Sequence, residues 1–129
     1  KNAKMYLDAP ETLIMQADPD EIEIIVNNLV SNAVKYNHDG GSVHVILRQS
    51  LSELIIKVED TGIGLTDEDI SLLFHEFVRI KNDKTKLITG SGLGLSIVKK
   101  LVEGNYNGKI SIKSTPDVGS VFTVVLPIN

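Results

Sequence analysis

Three groups of residues in this chain have the types and spacing to do chemistry. Asn28, Asn32, Lys35 and Tyr36 are spaced by four, three and one, so at ~100° per residue they share one edge of a helix. Asparagine is a weak helix former, and two of them one turn apart beside apolar residues call for a partner. A side-chain amide oxygen can coordinate Mg²⁺, which keeps several waters and shares its shell with substrate phosphates. A lysine one turn further on can meet phosphate charge. The plainer alternative is that the amides satisfy neighbouring backbone and Tyr36 belongs to the core. The second group is Asp60-Thr61-Gly62-Ile63-Gly64. Glycines spaced by two let backbone pass close to a flat ligand, and a carboxylate beside them can accept a hydrogen bond from an exocyclic amino group, which separates adenine from guanine. A strand-ending turn would use the same residues. The third group, Gly90-Ser91-Gly92-Leu93-Gly94-Leu95, runs into a helix, and its backbone N–H groups form a concavity suited to phosphates. A ligand-free glycine hinge is the alternative. Two familiar phosphate loops fail on spacing: a dinucleotide fingerprint needs glycine where Leu95 stands, and a P-loop needs a Gly-Lys-Ser/Thr ending.

These groups need elements to hold them. Lys4 to Asp8 and Thr12 to Ala17 read as short strands around the turn-prone Ala9-Pro10. Asp18-Pro19 predicts a helix start, with Asp as N-cap and Pro in the first turn. Over the next roughly five turns Ile22, Ile25, Val26, Leu29, Val30 and Ala33 form one apolar arc, and Asn28, Asn32, Lys35 and Tyr36 border it. The helix ends near Tyr36. After the Asp39-Gly40-Gly41 turn, Ser42 to Arg48 and Glu53 to Glu59 predict an antiparallel hairpin. Asp67 to Phe74 predicts a short helix with an acidic first turn, and Lys81 to Ser91 a mobile loop without periodicity. Leu93, Ile97, Val98, Leu101 and Val102 mark a second amphipathic helix, and Lys109 to Ser114 with Ser120 to Leu126 complete the sheet. The fold class implied is α+β, a two-layer sandwich with helices packed on one face of a mixed sheet.

Composition narrows the class further. An apolar share of 42% with 23% charged residues argues for a folded chain, and 129 residues suit one domain. No run approaches the ~18 consecutive apolar residues of a spanning helix, and no basic segment precedes an apolar run at the start. A cytoplasmic domain without membrane contact of its own is therefore expected. Zero cysteines exclude disulfides and thiol catalysis. A net charge of −4 offers no basic field for nucleic acid, although Arg79 to Lys86 is locally basic and Asp18 to Glu23 locally acidic. Lys1 is not an initiator methionine and begins mid-pattern, so the chain reads as part of something longer.

Taken in order, five segments closely resemble the N, G1, F, G2 and G3 boxes of histidine kinase catalytic domains, over about Asp18 to Pro127. They are Asn-x-x-x-Asn-Ala-x-Lys-Tyr from Asn28, Asp-x-Gly-x-Gly from Asp60, Phe74 and Phe77 before Arg79, Gly-x-Gly-Leu-Gly-Leu from Gly90, and Gly119-Ser120-Val121-Phe122. The resemblance implies the Bergerat ATP-binding sandwich, shared with type II topoisomerases, mismatch-repair ATPases and heat-shock chaperones of that superfamily. It implies one domain over 1–129, an ATP lid over about 80–91, and ATP with Mg²⁺ as ligands. By position, Asn32 with Asn28 would hold Mg²⁺, Lys35 would meet phosphate, Tyr36 would lie near adenine or ribose, and Asp60 would bond the adenine amino group. Gly62, Ile63 and Gly64, the run Gly90, Ser91, Gly92, Leu93, Gly94 and Leu95, and Ser120 would complete the nucleotide site. Arg79, with Lys81, Lys84 and Lys86, would screen triphosphate charge or face a partner. Two departures stand out: Asn105-Tyr106-Asn107-Gly108 replaces a His-Gly-Gly-like turn and reads as a turn variant, and the lid is poorer in arginine than usual.

The same resemblance separates transfer from hydrolysis. ATPase members carry a glutamate on this helix one turn before the metal-binding asparagine, and here that position is Asn28. An amide cannot take a proton at neutral pH, so transfer to a supplied nucleophile is expected instead of rapid water activation. Of the three histidines, His75-Glu76 lacks the Leu-Arg/Lys-Thr-Pro continuation of an acceptor box, while His38 and His44 read as surface or packing residues. The expected role is a phosphoryl donor to a histidine on dimerisation and phosphotransfer helices N-terminal to Lys1, with a response regulator downstream, in a sensor that is cytosolic or membrane-anchored. Two rivals would use the same pocket: a serine kinase of the anti-sigma factor type and a non-catalytic nucleotide sensor.

Overall fold

Helix α1 (Pro19–Lys35) starts and stops where its end residues dictate. The Asp18 carboxylate accepts the Asp20 N–H at 2.8 Å, Pro19 opens the first turn, and the Tyr36 N–H donates to the Asn32 carbonyl at 3.0 Å. In this computed structural model residues 3–9, 18–72 and 94–127 are described. The strand expected over Thr12 to Ala17, the last residues of the acidic helix to Phe74, and the loop Lys81 to Ser91 lie outside them. The apolar arc of α1 is as expected: Ile25, Leu29 and Ala33 are fully buried, and Ile22, Val26 and Val30 pack beside them. Helix α2 (Asp67–Leu72) carries three acidic residues in its first turn. Ahead of it the Thr66 hydroxyl accepts the Asp69 N–H and the Asp69 carboxylate accepts the Thr66 N–H, each at 3.1 Å, a reciprocal cap.

Among the described residues five strands, β1 (Ala3–Asp8), β2 (Gly41–Gln49), β3 (Glu53–Asp60), β4 (Lys109–Thr115) and β5 (Gly119–Pro127), form one sheet in the order β1-β2-β3-β5-β4. β1 runs parallel to β2 and the other pairs are antiparallel, so the sheet is mixed. Side chains alternate across it with period two. Val43 and Val45, then Leu54, Ile56 and Val58, then Phe122, Val124 and Leu126 are buried on one face, against α1 and α3 (Gly94–Lys99). The other face shows His44, Arg48, Lys57, Lys109 and Lys113 to solvent. Each fully buried aliphatic side chain contributes ~1.5–3 kcal/mol, so this one shared core is what holds helices to sheet. No helix among the described residues is long and apolar enough to cross a membrane.

The second amphipathic helix departs from its expected course. From Lys100 to Asn105 the chain winds as a π-helix, a geometry seldom sustained beyond one turn. Leu95, Val98 and Val102 take the buried positions, while Ile97 is 41% exposed. Among the described residues the arc runs from Leu95, and Ile97 falls ~100° round from Val98, at its margin. The wider winding delivers Asn105 and Tyr106 to the start of α1. The Asp18 N–H donates to the Tyr106 hydroxyl at 3.2 Å, that hydroxyl lies 3.3 Å from Glu21 Oε1, and the Asn105 amide donates to the second Glu21 oxygen. Burial pushes the Tyr106 hydroxyl above its ordinary pKa, the Asp18 N–H offsets part of that, and the Glu21 charge adds to it. It therefore stays protonated as a donor to Glu21. The turn variant Asn105-Tyr106-Asn107-Gly108 is thus a clamp between the two helical segments, closed by the Gly108 N–H on the Val102 carbonyl at 2.8 Å. Tyr106→Phe removes the hydroxyl and is expected to cost about 0.5–1.5 kcal/mol in urea denaturation with an unchanged slope. An unchanged midpoint would show that the clamp contributes nothing to stability.

Candidate functional site

β3 ends beside the start of β5, and their register decides the site: Asp60 stands opposite Ser120. Both fall on the helix-covered face, because Asp60 alternates with Val58, and Ser120 with Phe122. Asp60 Oδ1 accepts the Gly62 N–H at 2.9 Å and the Ser120 N–H at 3.3 Å. Its other oxygen has no protein donor among the described residues. Burial pushes the Asp60 carboxyl above its ordinary pKa of 3.8, and the two N–H bonds and the nearby His38 offset only part of that.

The turn after Asp60 packs backbone against backbone. The Ile63 N–H donates to the Tyr36 carbonyl at 3.0 Å, and a Cβ on Gly62 would overlap that carbonyl oxygen. Gly64 has φ +69°, and a Cβ there would overlap the Thr115 carbonyl oxygen. The two glycines therefore let the turn sink between the end of α1 and the end of β4. Ile63 and Leu65 then become walls of a cavity of about 390 Å³, its open mouth included. Asn32 and Tyr36 of α1 line one side, Leu95 of α3 another, and Asp60, Ser120 and Phe122 of the sheet the floor. Apolar walls with a few convergent polar groups, at this size, suit a small organic ligand.

The expected site residues divide three ways. Asn32, Tyr36, Asp60, Ile63, Gly64, Leu95 and Ser120 come together around the cavity, and Gly62 shapes it from behind. Asn28 and Lys35 do not line it. The Asn28 amide nitrogen donates to the Ile24 carbonyl one turn back at 2.8 Å, which leaves the amide oxygen as the end a cation could use, and Lys35 is exposed on the last turn of α1. Gly94 opens α3, while Arg79, Gly90, Ser91, Gly92 and Leu93 lie outside the described residues. His38 and His44 are exposed, His44 stacked on Tyr6 at 4.6 Å, and His75 lies outside the description.

Sequence reasoning missed three contributors. Leu65 and Phe122 line the cavity. Strand alternation with Ser120 could have placed Phe122, whereas nothing local marked Leu65. Ser114 stands opposite Ser120 on β4. Its hydroxyl accepts the Leu65 N–H at 2.7 Å and lies 3.0 Å from the Gly119 carbonyl and 2.7 Å from the Ser120 hydroxyl. If Ser114 donates to the carbonyl, the Ser120 hydroxyl must donate to Ser114 and turn its lone pairs to the cavity.

The family described as histidine kinase-, DNA gyrase B- and HSP90-like ATPase matches residues 17–129. The chain belongs to this family. Among its members it sits with the catalytic ATPase domains of two-component sensor histidine kinases. It is 38% identical over 128 residues to the sensor protein GacS of Pseudomonas syringae pv. syringae, covering 96% of this chain and 14% of GacS. It thus spans a small part of the curated relatives it matches. The mycobacterial sensor histidine kinase MprB superposes with a TM-score of 0.84 at 26% identity, over 98% of this chain and 84% of that one. The catalytic domain of histidine kinase ThkA does so with 0.82 at 26% identity, over 98% and 81%. ThkA has also been solved in complex with the response regulator protein TrrA, where the match is 25% identical with a TM-score of 0.77 over 97% of this chain and 34% of that one.

A charge half-sunk in an apolar wall of this histidine kinase domain has a consequence for its stability. Because the folded Asp60 carboxyl holds its proton more tightly than a free one, any strain belongs to the charged form. Its contribution to stability is whole below pH 3.8 and is lost as pH rises through the folded-state value. Asp60→Asn keeps an oxygen to accept both N–H groups and removes the charge. The ligand-free variant is expected to melt higher than the parent at pH 7, with the gap closing toward pH 3.5. A lower midpoint at neutral pH would show that the charge is net stabilising.

Proposed function

We propose that this domain binds ATP with Mg²⁺ in the cavity and donates the γ-phosphoryl group to a histidine on a separate helical domain of a two-component sensor kinase. The observation that carries the reading is the Asp60 carboxylate, two N–H bonds fixing one oxygen and the other left for a ligand among apolar walls. A flat base fits between Ile63, Leu65, Leu95 and Phe122, and its exocyclic amino group can donate to the carboxylate, with Ser120 beside it. Asn32 stands at the helix side of the same cavity, and its amide can offer an oxygen to a cation carried by a polyphosphate. The sensor-kinase relatives support the same reading.

The residues present also fit the metal. Among the described residues no group of three or more His, Cys, Asp or Glu side chains could hold an ion by itself. Mg²⁺ suits such a site, because it keeps its waters and takes most remaining ligands from substrate phosphates, with an amide oxygen of Asn32 and one more from Asn28. When bound it would neutralise developing phosphate charge. The protein's own part is to orient the nucleotide, while lacking a carboxylate base at Asn28 to activate water. The acceptor imidazole nitrogen then forms the N–P bond as the β,γ-bridging O–P bond breaks, and ADP leaves with the electron pair. His44 cannot serve as that acceptor, since it stacks on Tyr6 on the uncovered face of the sheet. We extend the proposal to one domain over the whole chain, a lysine-bearing lid over about 80–91 preceded by Arg79, the glycine run Gly90 to Leu95 at the phosphates, and Lys35 near them. The acceptor helices precede Lys1, and a response regulator receives the phosphate on the cytoplasmic side.

Calorimetry of ATP with Mg²⁺ tests the binding half. Asp60→Asn is expected to weaken binding ten- to over a hundred-fold, the loss of one charge-assisted contact of about 1.5–3 kcal/mol. Parent affinity should also fall as the pH drops through the folded-state pKa of Asp60, above 3.8, and the variant should lack that dependence. An unchanged dissociation constant removes Asp60 from the base site. For the transfer half, γ-labelled ATP is mixed with the domain and a separate acceptor domain. Asn32→Ala should abolish Mg²⁺-dependent labelling while the melting temperature holds. Normal labelling in that variant refutes the metal role, and binding without labelling by the parent favours the non-catalytic sensor.

A further inference from the structure

Among the largest fully buried side chains of the described residues one is polar: Asn37, 1% exposed. It follows Tyr36 directly and does not line the cavity. Both ends of its amide are used. Nδ2 donates to the Ser42 carbonyl at 2.9 Å, and Oδ1 accepts the His38 N–H at 2.8 Å and the Thr61 hydroxyl at 3.2 Å. Thr61, which follows Asp60 directly, accepts the Ser42 N–H on that hydroxyl at 2.9 Å and donates its own N–H to the Ser42 carbonyl at 3.2 Å. Gly41 seals the ring, since a Cβ there would overlap Asn37 Oδ1 and press on Thr61 Oγ1. A buried amide is a poor stabiliser beside an apolar side chain of the same volume unless its geometry is needed. What this geometry joins is specific: Tyr36 and Asp60, one residue before each member of the pair, both line the cavity.

We propose that Asn37 and Thr61 are positioning residues for the nucleotide, a hydrogen-bonded pin that holds the last turn of α1 and the Asp60 carboxylate at the separation the base requires. The inference rests on the reading of the cavity as a nucleotide site. The pin touches no ligand; it acts through the residues it anchors.

The experiment is calorimetry of ADP with Mg²⁺ on the whole chain, with melting temperatures measured alongside. Thr61 is exposed, so Thr61→Val, which keeps the shape and loses the hydroxyl, should fold. It is expected to raise the dissociation constant about tenfold, and Thr61→Ser should bring it back to within about twofold of the parent. In an Asp60→Asn background, Thr61→Val should add almost nothing, because the contact it positions is already gone. Asn37→Ala is expected to act like Thr61→Val where it folds, and Thr61→Val decides the matter where it does not. If the parent binds no ADP, the nucleotide reading fails. If the parent binds and Thr61→Val binds equally well, or loses the same factor with and without Asp60, the pin is merely structural and the inference is overturned.

Discussion

The site depends on a carboxylate held at the boundary between an apolar wall and an opening. Asp60 ends the central strand, and two N–H groups, one from the turn it begins and one from the neighbouring strand, hold one of its oxygens. They make a charge tolerable where burial opposes it. Because both donors belong to the backbone, no rotation of a neighbouring side chain removes them. Its direction is therefore a property of the β3–β5 register, and the cavity forms around it.

That register also explains why the chemistry gathers at one end of one face. The helix-covered face is aliphatic along most of β3 and β5 and turns polar only in its last layer, at Asp60 and Ser120, with Ser114 behind on β4. There the core stops and a ligand can replace missing side chains. α1 meets the same layer at its final turn, so Asn32 and Tyr36 arrive on the opposite wall. The opposing walls belong to stretches of chain more than twenty residues apart, tied by the Tyr36 carbonyl and the Asn37, Ser42 and Thr61 ring. A tie made of several hydrogen bonds over a short path resists both shear and separation, which loose apolar packing does not.

Polar groups placed this way work against the bare fold. A half-buried carboxylate and a fully buried amide both favour water, and each is retained where an apolar residue of the same shape could pack. Such compromises gather where a protein must present fixed groups to something outside itself. The Tyr106 clamp differs in kind: it lies away from the cavity and secures the helical layer, so the rigid frame and the functional edge are maintained by separate sets of polar contacts.

Much of this is legible in the chain alone. The 3.6-residue recurrence from Ile22 to Ala33, the Asp18-Pro19 start and the alternation in Glu53 to Asp60 are local signals of local physics, and they fixed the elements, the α+β class and the buried faces. The order of the glycine and asparagine motifs pointed to the family and to most residues around the cavity. Local pattern did not foresee that Ile97 would stay in solvent, that the helix would widen at Lys100, or that Asn105 and Tyr106 would clamp α1, because each depends on a partner some eighty residues away or on how one helix sits on another. Nor could it show that the two glycines after Asp60 serve backbone packing, or that Asn37 and Thr61 meet. What the residues determined alone was which side chains share a face; which faces oppose each other, and at what separation, was settled only by strand register and core packing, since these are long-range contacts that no short window of sequence contains.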